Sequence, residues 1–441
     1  MHPLNSFEIL SAVSGNNSHL ADMVVHNVSI DTRTIKPNSI FFAIKGENFD
    51  GHCFVKHALS KGANLAIVKQ NFYINDLFND RLIFVKDTIT ALGELAQYYR
   101  KFFSMPFIAI TGSVGKTTAK EYIYNILQTR FHCHKTKGNY NNFIGLPLSI
   151  FDLEQKHQVS IIEIGTNNFG EVRRLTDIVQ PEISIITCIS DAHLMNFKNI
   201  EGIFKEKIDI YKSKNLKLAL YPGDNKLFNE FHTKPHFFSF GFGKDNDYNI
   251  SIIRENSKFI FSVNNDVFAL PTIVKHDVIN SVPAIIIGKY FGLTNQEIQQ
   301  GLNRKLDLSL RMEIRENKRH KWKIIADCYN ANPLSMNSAL DFFQKQKAES
   351  KILILGDMLE LGQRSKFFHQ QIANKIKEIL PSITITIGND AKYYDGDDHF
   401  TKVEEFLKVL HPNYFPENSL ILLKGSHSIH LEKVLERLEM L

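Results

Sequence analysis

Pro106-Phe-Ile-Ala-Ile-Thr111 runs directly into Gly112-Ser-Val-Gly-Lys-Thr-Thr118, and a helix-forming stretch begins immediately behind it. An apolar strand, a glycine-rich turn, Lys-Thr and a helix start, in that order, build a cradle for phosphate. Gly112 and Gly115 let the backbone approach a polyphosphate closely. The amides from Ser113 and Val114 through Thr118, with the helix dipole, then attract its negative charge. Lys116 would reach the β- and γ-phosphates, and the Thr117 hydroxyl would ligate Mg²⁺. Ile110 stands where the longest form of this motif has its first glycine. A purely structural glycine turn is the competing reading, and the flanking strand and helix favour ATP.

Outward from this point the chain alternates strands and helices. Downstream, Val159–Ile164, Ile183–Ile189 and Leu216–Tyr221 are continuous apolar runs separated by helical segments, the pattern of a parallel sheet covered on both faces. Tyr248 to Ile273 alternates polar and apolar residues around turn formers and predicts added antiparallel strands. A helix from His276 to Tyr290 follows. Upstream, Val24–Ile30, Ser39–Ile44 and Leu65–Val68 read as strands, with a helix over Phe54 to Lys61. From Arg311 onward, Lys323–Asp327, Lys351–Leu355, Ile383–Ile387 and Leu420–Leu423 read as parallel strands. Leu431, Val434, Leu435 and Leu438 recur at helical spacing. The expected fold is α/β with three domains in series, bounded at 1–103, 104–308 and 309–441.

Three segments after the phosphate loop carry polar candidates. Lys137-Gly-Asn-Tyr-Asn-Asn-Phe-Ile-Gly-Leu-Pro147 reads on composition equally as a turn-rich loop or as a ligand-binding one. Its position after the helix that starts at the phosphate site favours the latter, with the amides of Asn139, Asn141 and Asn142 facing a phosphate or carbonyl. Glu163 ends a parallel strand, where ligands bind in such folds, and is a candidate Mg²⁺ ligand. A solvated strand end is the bland alternative. His193, just past the next strand, is a second candidate ligand, with Asp191 competing. Lys205, Lys207 and Lys212 read as a solvated helical face.

Composition narrows the function. Of 441 residues, 43% are hydrophobic and 22% charged, ordinary for a globular protein. A net charge of +5 without a long basic run argues against nucleic-acid binding. The four cysteines, Cys53, Cys133, Cys188 and Cys328, form no CxxC pair, which fits reduced thiols, with Cys188 and Cys328 as core residues. No basic-then-apolar leader and no membrane-length apolar window is present, so a cytoplasmic location is expected.

Together these segments resemble the Mur ligase family of ATP-dependent amide-forming enzymes, over nearly the whole chain. Asp31-Thr-Arg33, Phe41–Gly46, Asp50-Gly-His52 and Gly62-Ala63 resemble the family's uridine-nucleotide-binding domain, with Thr32, Arg33, Gly46, Asp50 and His52 as contacts. Gly112–Thr118 matches its shortened phosphate loop. Gly138–Pro147 resembles the form found in the D-alanyl-D-alanine-adding branch. Glu163 and His193 fall on metal-ligand positions, and Lys207 on the lysine that the family carbamylates with CO₂, which reverses the solvated reading for that residue alone. Asn280 corresponds to an adenine contact and Arg311 to a phosphate contact. Asp327, Tyr329, Asn330 and Asn332 lie in the segment that closes over the ribose. Gly356–Gly362 and Lys424-Gly-Ser-His427 complete the pattern, with Lys424 and Ser426 assigned to substrate.

The resemblance implies ATP and two Mg²⁺ sites held by Thr117, Glu163, His193 and the Lys207 carbamate. Nothing in the sequence demands more than a monomer. The implied substrates are a UDP-N-acetylmuramoyl-tripeptide and D-alanyl-D-alanine. Lys116, Lys207, His193, Glu163 and Arg311 are the expected catalytic set. The rivals are the neighbouring ligase that adds the third amino acid, a folyl-polyglutamate ligase, an inactive nucleotide-binding regulator, and a P-loop kinase or GTPase. The Asp31-Thr-Arg33 unit argues against the folate enzyme, and the retained metal-site residues argue against the regulator. No guanine motif accompanies the loop.

Overall fold

Phe107–Thr111 is a strand with all five side chains buried, which places it inside a sheet. It pairs in parallel with Val159–Glu163 on one side and Ile183–Ile186 on the other. The computed structural model describes residues 1–47, 49–73, 76–191, 194–255, 258–272 and 274–441. Among them this strand lies inside a nine-stranded sheet, parallel from Cys133–Lys135 to Tyr248–Glu255. Phe259–Val263 and Asp266–Leu270 extend it antiparallel, as the alternation predicted. Ile273, where that alternation was expected to end, lies outside the described residues.

Two further sheets flank it in sequence. Asn27–Ser29, Ser39–Phe42, Ala63–Lys69 and Leu82–Val85 form a four-stranded parallel sheet. Glu313–Asn317, Trp322–Asp327, Ser419–Lys424, Ser350–Gly356, Ile383–Ile387 and Asp398–Phe400 lie side by side in that order, parallel except for the first. The last helix, Glu432–Met440, buries Val434, Leu435 and Leu438, its apolar stripe, in the core of this third unit.

The structure corrects several expectations. Val24–Ile30 is not one strand. Val24–Val25 pairs antiparallel with Leu4–Asn5, His26 N–H turns to the Asn38 carbonyl, and Asn27–Ser29 joins the parallel sheet. The strand from Ile183 stops at Ile186, because the chain beyond it grips the phosphate loop: the Cys188 carbonyl accepts from Ser113 N–H at 2.8 Å. Cys188 is therefore half-buried at a cavity wall and not a core residue, whereas Cys328 is buried.

The first and second units are riveted by Arg100, the last residue of helix Thr88–Arg100. Its guanidinium donates to the carbonyls of Val179 and Phe103, both at 2.8 Å, stacks 3.8 Å over Phe107 and lies 3.6 Å from Glu182. No helix among the described residues is long and apolar enough to cross a membrane.

Candidate active site

The phosphate loop is built by glycine geometry and held from the next strand. Gly112 and Gly115 have φ of +155° and +86°, and a Cβ on either would collide, with Thr187 Oγ1 and the Asn280 amide respectively. Ser113 Oγ donates to the Ser190 carbonyl and accepts from Ser190 N–H, both at 3.0 Å. Thr187 Oγ1 donates to the Val114 carbonyl at 2.5 Å. Helix Lys116–Leu127 starts at once, so the amides of its first turn have no partner within the helix and are offered to an anion. Lys116 Nζ folds back onto the Gly112 carbonyl at 2.8 Å. Burial lowers its pKa from the usual lysine value, against the attraction of Glu163.

Glu163 is not a solvated strand end: it is 2% exposed. Its backbone N–H donates to Thr136 Oγ1 at 3.0 Å, and Asn141 Nδ2 donates to its Oε1 at 2.8 Å. Oε2 is buried without a hydrogen-bond partner. An orphaned carboxylate oxygen in a cavity wall is costly unless a ligand completes it. Lys207, at the end of helix Ile200–Lys207, is 2% exposed, while Lys205 and Lys212 are exposed as expected. Burial, and then the nearby charge of Lys116, hold its ammonium well below the ordinary pKa, favouring the neutral amine. His193 lies outside the described residues. Asp191, its competitor, is 3.6 Å from Arg364 of the third unit.

The third unit closes the other side. Arg311 donates to Thr117 Oγ1 at 3.1 Å, and its guanidinium lies 3.9 Å over the Tyr329 ring. Asp327 accepts from Lys424 Nζ at 2.6 Å and from Met312 N–H at 3.2 Å. Between the two units lies a cavity of about 510 Å³, walled by the phosphate loop, Glu163, Asn280, Arg311, Asp327, Tyr329 and Lys424.

Most of the residues singled out from sequence meet here, including Asn139, Asn141, Asn142, Asn330 and Asn332. Two of these also hold local backbone: Asn142 Oδ1 accepts from Gly145 N–H at 2.8 Å in the turn before helix Gly145–Phe151, and Asn332 caps helix Pro333–Lys345, its Oδ1 accepting from Ser335 N–H at 2.9 Å. Ser426 does not line the cavity; its hydroxyl accepts from Leu359 N–H at 3.0 Å. Lys207 is not in its wall either. Residues that sequence reasoning passed over are Thr166, Asn167, Glu171 and Asp277, all cavity-lining. Thr166 and Asn167 follow Glu163 in the loop and Glu171 opens the helix behind it, positions that could have marked them. Burial raises Asp277 to about 6.

The first-unit candidates form a separate cluster near the carboxyl ends of the four-stranded sheet. Asp31 is paired with Arg33 at 2.7 Å, which lowers its pKa, and Lys61 Nζ donates to the Thr32 carbonyl at 2.9 Å. Asp50 Oδ1 lies 2.7 Å from His52 Nδ1, and Lys69 N–H donates to His52 Nε2 at 3.1 Å, which places the ring proton on Nδ1. Gly46 N–H donates to the Phe49 carbonyl at 2.9 Å, closing the turn between the two groups.

Comparison with known proteins agrees with this arrangement. Residues 24–100 match "Mur ligase family, catalytic domain", 110–288 "Mur ligase middle domain" and 310–427 "Mur ligase, glutamate ligase domain". The UDP-N-acetylmuramoyl-tripeptide–D-alanyl-D-alanine ligase of Bacillus subtilis (strain 168) is 32% identical over 440 residues, covering 96% of this chain and 95% of its own. The ligase of the same name from Haemophilus influenzae is 32% identical over 436 residues, 94% of each chain. Among solved structures, MurF from Acinetobacter baumannii superposes with a TM-score of 0.89 at 28% identity over all of both chains. The MurF ligase of Thermotoga maritima in complex with ADP gives 0.83 at 25%, over 94% of this chain and 97% of its own. The chain belongs to the Mur ligase family and is an ATP-dependent acid–amino-acid ligase.

Proposed function

We propose that this enzyme joins D-alanyl-D-alanine to a UDP-N-acetylmuramoyl-tripeptide in peptidoglycan precursor synthesis, through an acyl phosphate. The observation that carries the reading is the cavity between the second and third units. In it Lys116, Thr117 and the phosphate-loop amides face Arg311 across the space, with Glu163 in its wall.

A carboxylate does not accept an amine directly, because oxide is too poor a leaving group. A tripeptide carboxylate oxygen attacks the γ-phosphorus of ATP, the bond to the β,γ-bridging oxygen breaks, and ADP leaves. The neutral dipeptide amine attacks the acyl carbon, a tetrahedral adduct forms, and phosphate departs with the carboxylate oxygen. Lys116 and Arg311 neutralise charge on the moving phosphoryl group, and the first-turn amides hold its oxygens, so the protein acts chiefly by positioning and electrostatics. Asn280 packs against Gly115 and is assigned to the adenine, and Asp327 and Tyr329 to the ribose side. The Asp31–Arg33 and Asp50–His52 cluster is assigned to the uridine nucleotide. Substrate is thus held by one unit and activated between the other two. Asn139, Asn141, Asn142, Asn330, Asn332 and Lys424 are assigned to the substrates at the cavity, and Ser426 to a role through its contact with Leu359.

The residues present fit magnesium. Glu163 Oε2 is a buried oxygen without a hydrogen bond, with the Lys120 ammonium 3.6 Å away, and Thr117 would add its hydroxyl once Arg311 releases it. Among the described residues no three His, Cys, Asp or Glu side chains converge. The sets proposed for the two ions instead rely on Thr117, on His193 and on Lys207. Lys207 fits carbamylation, since a buried neutral amine is the form that adds CO₂, and the carbamate supplies the anionic oxygens an ammonium lacks. When bound, magnesium neutralises phosphate oxygens.

Phosphate release from ATP tests the assignment. It is expected to require both the tripeptide nucleotide and D-alanyl-D-alanine, and to be supported poorly by single amino acids. Release driven equally by single amino acids would instead favour the neighbouring ligase. Bicarbonate is expected to stimulate CO₂-depleted enzyme, and indifference to it together with full activity of Lys207→Ala would remove the carbamate.

A further inference from the structure

Behind Glu163 sits a buried cation that the reaction above does not use. Lys120 lies one helical turn after Lys116, is 1% exposed and does not line the cavity. Its Nζ donates to the Thr136 carbonyl at 2.9 Å and stands 3.6 Å from Glu163 Oε2 and 3.5 Å from Glu121 Oε1. Glu121 in turn holds Lys135 at 2.6 Å. The four side chains carry two positive and two negative charges, so the wall that presents Glu163 is electrically balanced without any metal. Glu163 also has its other oxygen engaged by Asn141. The phosphate loop adds the cation of Lys116 and the facing unit that of Arg311. The other carboxylates lining the cavity are already engaged: Asp327 by Lys424, Glu171 by Asn167 N–H and Asn168 Nδ2, and Asp277 by Thr272 Oγ1.

We propose that Lys120 makes Glu163 a conditional ligand: it neutralises the carboxylate in the nucleotide-free protein, so that a divalent cation is held in the cavity only together with the triphosphate. This rests on the reading of Glu163 as a magnesium ligand. A bare divalent ion meets the paired Glu163, carboxylates that other groups already hold, and the cations of Lys116 and Arg311, and Coulomb repulsion from these in partly buried surroundings outweighs one oxygen ligand. The triphosphate brings several negative charges of its own, reverses the sign of the cavity, and lets Oε2 complete the ion. Lys120 is suited to the part because it shares the helix whose first turn receives the phosphates, so its distance from the nucleotide site is fixed. Lys120 is a positioning residue, acting through Glu163.

Manganese, followed by the paramagnetic resonance signal of the free ion, tests this on the full chain. The native protein is expected to bind Mn²⁺ weakly alone and at least about tenfold more tightly with a non-hydrolysable ATP analogue, beyond what the analogue binds by itself. Lys120→Met is expected to raise nucleotide-free Mn²⁺ affinity about tenfold, and Lys120→Arg to behave as the native protein. Equal Mn²⁺ affinity of the native protein with and without the analogue would overturn the proposal, as would a folded Lys120→Met indistinguishable from native. Should Lys120→Met fail to fold, Lys120→Gln and the native comparison decide. If Glu163→Gln leaves binding with the analogue unchanged, the ligand reading itself is wrong, and the proposal falls with it.

Discussion

On the edge strand Cys133–Lys135 an imidazole is buried: His134 Nδ1 lies 2.9 Å from Ser160 Oγ, and Nε2 has no partner. Burial, and then the neighbouring His157, pull its pKa from 6.5 to about 4. Because the folded value lies below the unfolded one, its contribution to stability is complete above pH 6.5 and is lost as pH falls through 4. The span corresponds to about 3 kcal/mol. His134→Gln is expected to flatten the acid limb, read as urea midpoints at pH 7 and pH 4.5. Equal acid sensitivity in the two proteins would contradict it. At this scale the sequence was readable where a motif fixes geometry, as at Gly112–Thr118. It was not readable for Lys207, whose helix carries exposed Lys205 beside it; only the phase of that helix against the sheet separates them. Lys120 went unnoticed for a similar reason, since burial by tertiary packing leaves no local mark.

Helix Glu171–Val179 shows how an element can depend on a distant residue. It begins after Gly170 with no side-chain cap of its own. The cap is Glu206, whose buried carboxylate accepts from Gly170 N–H and Val172 N–H, both at 2.7 Å, and from Thr166 Oγ1 at 3.2 Å. It thereby fastens the loop after Glu163 to the helix that ends at Lys207. Glu206→Ala strands two amides and is expected to cost about 2–4 kcal/mol in urea unfolding, with Glu206→Gln recovering part of it. An unchanged midpoint would argue against this capping. Local rules seek a Ser, Thr, Asp or Asn just before a helix and miss such a cap. Most of the buried parallel strands were legible as apolar runs, although Leu82–Val85 and Phe237–Gly241 were passed over; the edge strands Cys133–Lys135, Glu313–Asn317 and Asp398–Phe400 were not legible. Each is short or largely exposed and lacks the run that marks a two-sided strand.

Across the whole molecule, the reaction as proposed needs a nucleotide-linked substrate held by the first unit to reach a phosphoryl group held between the other two. Arg100 fixes the first of these relations. Truncating it leaves Glu182 without its buried partner, so Arg100→Ala is expected to lower stability by about 3 kcal/mol. It is also expected to raise the KM for the tripeptide nucleotide more than that for ATP, because ATP is bound by units that Arg100 does not join. Equal effects on both constants would show that the first unit is not positioned this way. The serial order of the units could be read from strand and helix alternation, but this rivet could not, since it joins residues about 80 positions apart.

The central claim, that the γ-phosphoryl group passes to a substrate carboxylate in this cavity, has a direct isotopic test. Tripeptide nucleotide labelled with ¹⁸O in the reacting carboxylate is turned over with ATP and D-alanyl-D-alanine, and the released phosphate is weighed by mass spectrometry. Transfer through an acyl phosphate predicts one ¹⁸O atom in each phosphate formed. Unlabelled phosphate, with the peptide product formed normally, would contradict the account.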